Sequence, residues 1–99
     1  MQVPELCRMN GIIIKMMNMD VGQHSKPHIH VYYGEYQASI SLKGELLAGS
    51  LPSKQFSLVV AWLVLRENEV YAAWAKAISG EPFGRIGITA EINQPKING

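Results

Sequence analysis

Hydrophobic and polar positions along this 99-residue chain follow two different periods. In the front half, apolar residues cluster in runs or alternate at every second position. In the back half they recur at every third and fourth position. Residues 11–19 open with Ile12, Ile13 and Ile14 and continue through Lys15, Met16 and Met17. This β-branched start, with apolar side chains falling on both faces, predicts a well-covered strand. Residues 28–33 alternate His28, His30 and Tyr32 against Ile29, Val31 and Tyr33, and residues 36–42 alternate Tyr36, Ala38, Ile40 and Leu42 against Gln37, Ser39 and Ser41. Between them stands Gly34-Glu35, with glycine at the first central position of a two-residue type II′ turn. That turn sets Tyr33 opposite Tyr36, Val31 opposite Ala38 and Ile29 opposite Ile40, so the apolar pairs share one face. The other face pairs Tyr32 with Gln37, His30 with Ser39 and His28 with Ser41. A one-residue slip would mix the two sets, which fixes the register.

Lys43-Gly44-Glu45 reads as a second turn, followed by a short strand over residues 46–51. Pro52-Ser53 opens a helix with Ser53 as the predicted N-cap. Phe56, Val59, Val60, Leu63 and Val64 form an apolar stripe at helical spacing, and Leu58, Trp62 and Leu65 widen it. Helix 53–67 is therefore apolar nearly all round, more than one sheet face covers, and a small protein partner or a homodimer through it is expected. A break is predicted at Arg66-Glu67-Asn68. Val70, Trp74, Ala77 and Ile78 then give a second amphipathic helix, stopped by Gly80 and Pro82. The predicted architecture is α+β: a small, mostly antiparallel sheet of three to four strands with two helices packed on one face. Residues 1–86 form one domain, and residues 87–99 are expected to be a mobile tail.

Composition narrows the function classes. The formal charge is +1 and only 17% of residues are charged, so no basic patch marks a strong nucleic-acid binder, although a few placed cations suffice to hold one phosphate. The one cysteine, Cys7, allows no intrachain disulfide, which fits a cytoplasmic protein, and it reads as a small buried hydrophobe. Glu5 and Arg8 interrupt any secretory leader, and the apolar run of residues 58–65 is far short of the ~20 residues that span a bilayer, so no membrane role is expected. Trp62 and Trp74 read as core anchors and the methionines as gap-fillers.

The candidate chemistry sits in one place. All three histidines, His24, His28 and His30, fall within seven residues. His28 and His30 take same-side positions on one strand, a common way to present two imidazoles to a metal; His24 is the natural third ligand, with Asp20 and Glu35 as further candidates, and a divalent transition metal is the cofactor this would imply. The string of Gly22, His28, His30 and Glu35 resembles the first metal motif of the cupin barrels, but Leu42 stands where that motif has glycine and the helical back half cannot supply a barrel. The second use is acid–base catalysis by His28 and His30, with a cation from Lys26, Lys15 or Arg8 to stabilise developing charge, as in metal-independent ribonucleases. Ser39 and Ser41 would orient the imidazoles, and Tyr32 is the one tyrosine of its cluster on the histidine face. Against both stands the plain alternative of histidines tolerated on a polar sheet face.

Gly11-Ile12-Ile13-Ile14-x-Met16, His24-x-x-Pro27-His28-Ile29-His30-Val31-x-Tyr33-Gly34-Glu35-Tyr36-x-Ala38, Gly49-x-Leu51-Pro52, and then Trp62 and Trp74 together resemble the small bacterial family called domain of unknown function 4160. The resemblance runs from about Arg8 to Ile86. It implies a bacterial protein of unassigned activity whose relatives often lie beside a second small gene, an arrangement that suggests toxin–antitoxin pairs. On that footing the expected role is a toxin-like component with a histidine-cluster site, RNA cleavage being the candidate reaction. The alternative is a non-enzymatic partner-binding or regulatory component of the same module. The chain departs from the family pattern at Gln23, where an acidic residue is usual before the first histidine, and at Arg66, where histidine often follows Trp62 by four positions.

Overall fold

The computed structural model describes residues 5–16 and 26–87. Five antiparallel strands form one sheet in chain order: β1 (Glu5–Met9), β2 (Ile12–Lys15), β3 (His28–Tyr33), β4 (Tyr36–Ser41) and β5 (Leu46–Gly49). Two helices follow, α1 (Ser53–Leu65) and α2 (Glu67–Ile78). The α+β class is as the sequence predicts, with one strand more. The extra strand is β1, joined to β2 through Asn10 and Gly11, both at positive φ, with Met9 opposite Ile12. Asn-Gly between apolar runs is the strongest short hairpin signal a sequence carries, and it marks a strand on its N-terminal side as well as the one it opens.

The β3–β4 hairpin has the predicted register at every pair, from Tyr33 opposite Tyr36 to His28 opposite Ser41. Gly34 takes φ +57° while Glu35 stays outside the left-handed region, as a type II′ turn requires. The alternation sends Ile29, Val31, Ala38 and Ile40 into the core, where they meet Ile12 and Ile14 from β2, Val59, Trp62 and Leu63 from α1, and Val70, Ala73 and Ala77 from α2. Helix α1 buries Val59 with Trp62 and Leu63, three and four positions on, and α2 buries Val70, Ala73 and Ala77, which is one stripe of each. Tyr36 departs from the predicted core set. Next to the turn, it is 46% exposed and stacks on Tyr33 at 6.5 Å between ring centroids, because the hairpin tip offers it nothing larger to pack on.

Helix α1 begins one residue after Pro52, whose backbone carbonyl accepts from Phe56 N–H; Ser53 is the first helical residue rather than the cap. The helices part at Arg66, as expected, where φ −113° and ψ 28° break the α geometry. At the end of α2, Glu81 N–H donates 2.8 Å to the Lys76 carbonyl around Gly80, a C-terminal closure that satisfies otherwise unpaired carbonyls. The chain then returns to β1, where Ile86 N–H donates to the Leu6 carbonyl at 2.7 Å and Arg85 pairs with Glu5. Trp62 is 2% exposed, and its indole N–H donates 2.9 Å to the Gly87 carbonyl. Of the tail expected over residues 87–99, Gly87 is described and accepts this bond, while residues 88–99 lie outside the described residues, as do Met17 and Met19. Among the described residues no helix is long and apolar enough to cross a membrane.

Candidate functional site

The face of the sheet opposite Ile12, Ile14, Ile29 and Ile40 carries most of the polar side chains, and the register sets them in rows. Lys15 on β2 is opposite His30 on β3, His30 is opposite Ser39 on β4, and Ser39 is opposite Ala48 on β5. The next row holds Ile13, Tyr32 and Gln37. Lys15 Nζ lies 5.3 Å from the centroid of the Tyr32 ring, and Ser39 Oγ stands 3.5 Å from His30 Nδ1. At that length Ser39 restrains the imidazole weakly. His30, Tyr32, Gln37, Ser39, Ala48 and Gly49 surround a shallow basin of about 110 Å³. Ala48 and Gly49 keep its β5 side low, since neither has a side chain beyond Cβ.

His28 corrects an expectation. The sequence places it beside His30 on an open polar face, and the two rings do meet edge-on, 5.1 Å apart at 73°. But His28 is only 1% exposed. Trp74 from α2 sets its ring 5.4 Å from the imidazole, closing that end of the face. Strand alternation dictates which way a side chain leaves the sheet and carries no information about a distant helix arriving above it. His28 Nδ1 lies 2.8 Å from the Lys26 carbonyl oxygen, which can only accept, so Nδ1 carries a proton and donates it there.

The three candidate cations now separate. Lys26 Nζ pairs with Glu45 at 2.9 Å, and its hydrogen bond and charge hold the Glu45 carboxyl below the usual range. Arg8 grips Glu5 through two hydrogen bonds of 2.9 and 3.0 Å and lowers that carboxyl likewise. Lys15, cross-strand neighbour of both Glu5 and His30, faces a carboxylate already engaged by Arg8 and Arg85, and it alone of the three adjoins an imidazole in the register. Ser41 also leaves its expected role. Buried beside the β4–β5 turn, its Oγ accepts from Lys43 N–H at 3.2 Å and Glu45 N–H at 3.0 Å, and so shapes that turn rather than an imidazole. Gln37 joins the basin without having been among the residues singled out for chemistry. Its place opposite Tyr32 was legible once the hairpin register was set.

His24, Asp20 and Gln23 lie outside the described residues. Among the described residues no group of three or more His, Cys, Asp or Glu side chains could hold a metal ion, and Glu35 sits exposed in the hairpin turn. Arg66 is buried at the helix junction and pairs with Glu69 at 2.8 Å. Cys7 is buried, and burial pushes its thiol up from the ordinary value.

A five-stranded meander backed by a helical pair, with the polar rows on one face of the histidine strand, defines a small α+β domain. The chain belongs to the family described as Domain of unknown function (DUF4160), whose model matches residues 11–75. That span holds β2 to the greater part of α2, and with it Lys15, all three histidines, Ser39 and both tryptophans. Strand β1 and the returning segment at Ile86 lie outside it. No curated protein and no solved structure matches the chain.

Proposed function

We propose that this protein is the toxin-like component of a two-gene module and acts on RNA through the polar sheet face, with His30 as the proton-transfer group and Lys15 as the cation beside it. The observation that carries this reading is the row Lys15, His30, Ser39, which puts an ammonium and a half-exposed imidazole on adjacent strands of a rigid sheet. In a cleavage step, neutral His30 takes the proton of a ribose 2′-hydroxyl as its oxygen bonds to phosphorus. Lys15 offsets the charge gathering on the non-bridging oxygens, and the 5′-oxygen leaves with a proton from solvent, giving a 2′,3′-cyclic phosphate and a 5′-hydroxyl. His28 is a positioning residue here, its buried ring set edge-on against His30. Induced expression with growth and RNA-integrity readouts tests the reading: His30→Ala should lower cleavage by at least ~100-fold, the usual scale for removing a general base, and Lys15→Ala should do so more strongly than Lys15→Arg. Wild-type growth arrest and RNA loss in both variants would overturn it. Stoichiometric transition metal in untagged protein, lost on His24→Ala and His30→Ala, would replace the acid–base use of the imidazoles by the metal-binding one.

The alternative, a non-enzymatic partner-binding component, is favoured by one observation. Helix α1 buries Val59, Trp62 and Leu63 but leaves Val64 71% and Leu65 55% exposed on its outer side. If the chain works this way, Val64→Glu with Leu65→Glu should abolish co-purification with the product of the adjacent gene, or dissociate a homodimer in sedimentation, while the fold is kept.

A further inference from the structure

A second cavity, of about 460 Å³, shares no lining with the basin at His30 and has the build of a ligand cleft. Lys26 and Pro27 form one wall, the turn from Ser41 to Glu45 forms another, and Tyr71 of α2 forms the third. The first two walls are tied together. Leu42 N–H donates to the Pro27 carbonyl at 3.0 Å, and Ser41 Oγ accepts two amides of its own turn. The cleft is therefore pre-formed rather than a gap between loose loops. Pro27, Leu42 and the Tyr71 ring make its apolar surface, and Lys26, Lys43 and Glu45 supply its charge. The Lys26–Glu45 pair at 2.9 Å is internally neutral, and the exposed Lys43, whose charge also helps to lower the Glu45 carboxyl, leaves the cleft with one net positive charge. One cation beside an apolar, aromatic-walled slot is the complement of one kind of molecule.

We propose that this cleft binds a small organic anion with a flat apolar body, such as an aromatic carboxylate or sulfonate, its ring against Pro27, Leu42 and Tyr71 and its anionic group on Lys43. The fluorescent probe 8-anilinonaphthalene-1-sulfonate has this chemistry and brightens on leaving water. Titrated into the full chain, it should bind saturably at one site, and 2-naphthoate should displace it at concentrations about tenfold lower than the neutral 2-naphthylmethanol, a preference equal to one decade of affinity. Lys43→Glu, on an exposed side chain that leaves the fold intact by circular dichroism, should weaken the probe at least ~10-fold by reversing the local charge, and Lys43→Arg should restore it. Val64→Ser, in the exposed stripe of α1, should leave binding unchanged. The proposal falls if no saturable binding occurs, if Lys43→Glu binds as wild type does, if the neutral naphthyl compound competes equally well, or if Val64→Ser removes the signal.

Discussion

Replacing His28 and His30 in turn should give opposite results in stability and function, although the two rings lie 5.1 Å apart on one strand face. His28 is 1% exposed, donates from Nδ1 to the Lys26 carbonyl at 2.8 Å and packs 5.4 Å from Trp74. His28→Ala removes the buried ring, and by analogy with other large-to-small changes at buried sites it costs about 2–3 kcal/mol of packing. The lost hydrogen bond adds up to ~1 kcal/mol, at the low end of its range because the Lys26 carbonyl lies at a partly exposed position where water can replace the donor. The total of about 2–4 kcal/mol corresponds to a fall in melting temperature of roughly 10–25 °C for a domain of this size. His30→Ala, on a half-exposed residue with Ser39 Oγ 3.5 Å from its Nδ1, should cost less than His28→Ala, about 1 kcal/mol or below. His28→Asn returns an N–H donor close to the Nδ1 position and should recover about 1 kcal/mol of the loss. Urea denaturation of the three variants, with the slope of the transition checked for constancy, measures all of this. A His28→Ala midpoint equivalent to less than ~1 kcal/mol, or equal to that of His30→Ala, would refute the buried placement of His28.

Other consequences are open to equally direct measurement. Trp62→Ala should cost about 3–5 kcal/mol, and Trp62→Phe, which keeps the ring contact but abandons the Gly87 carbonyl, about 1–2 kcal/mol, both read from denaturation midpoints. Cys7 should resist an aromatic disulfide reagent in the native protein and react at once on unfolding, because its thiol is buried. Since burial raises that thiol, the native chain holds its proton at pH values where the unfolded chain has released it; stability should therefore fall as pH rises through the ordinary thiol range, and Cys7→Val should lessen that fall in a pH series of melting temperatures.

Much of this architecture is written locally in the chain. The β3–β4 register, both helices and the break at Arg66 follow from side-chain period and turn chemistry, which act over a few residues. The rows that carry Lys15, His30 and Ser39 follow from the same rules once β2 is placed beside β3. Asn10-Gly11 carried an equally local signal for β1, outweighed in reading by the apolar run that follows it. What the residues could not announce is what the helices cover. Trp74 lies more than forty positions from His28 in the chain, and only the packing of α2 brings its ring over the imidazole and makes one histidine structural while leaving the other open. Arg8 is taken by Glu5 three positions before it on the same strand. The fate of Lys26, by contrast, was decided in three dimensions. It reads as the cation for the histidines until the β4–β5 turn brings Glu45, nineteen positions away, to its ammonium, because an ion pair depends on distance through space.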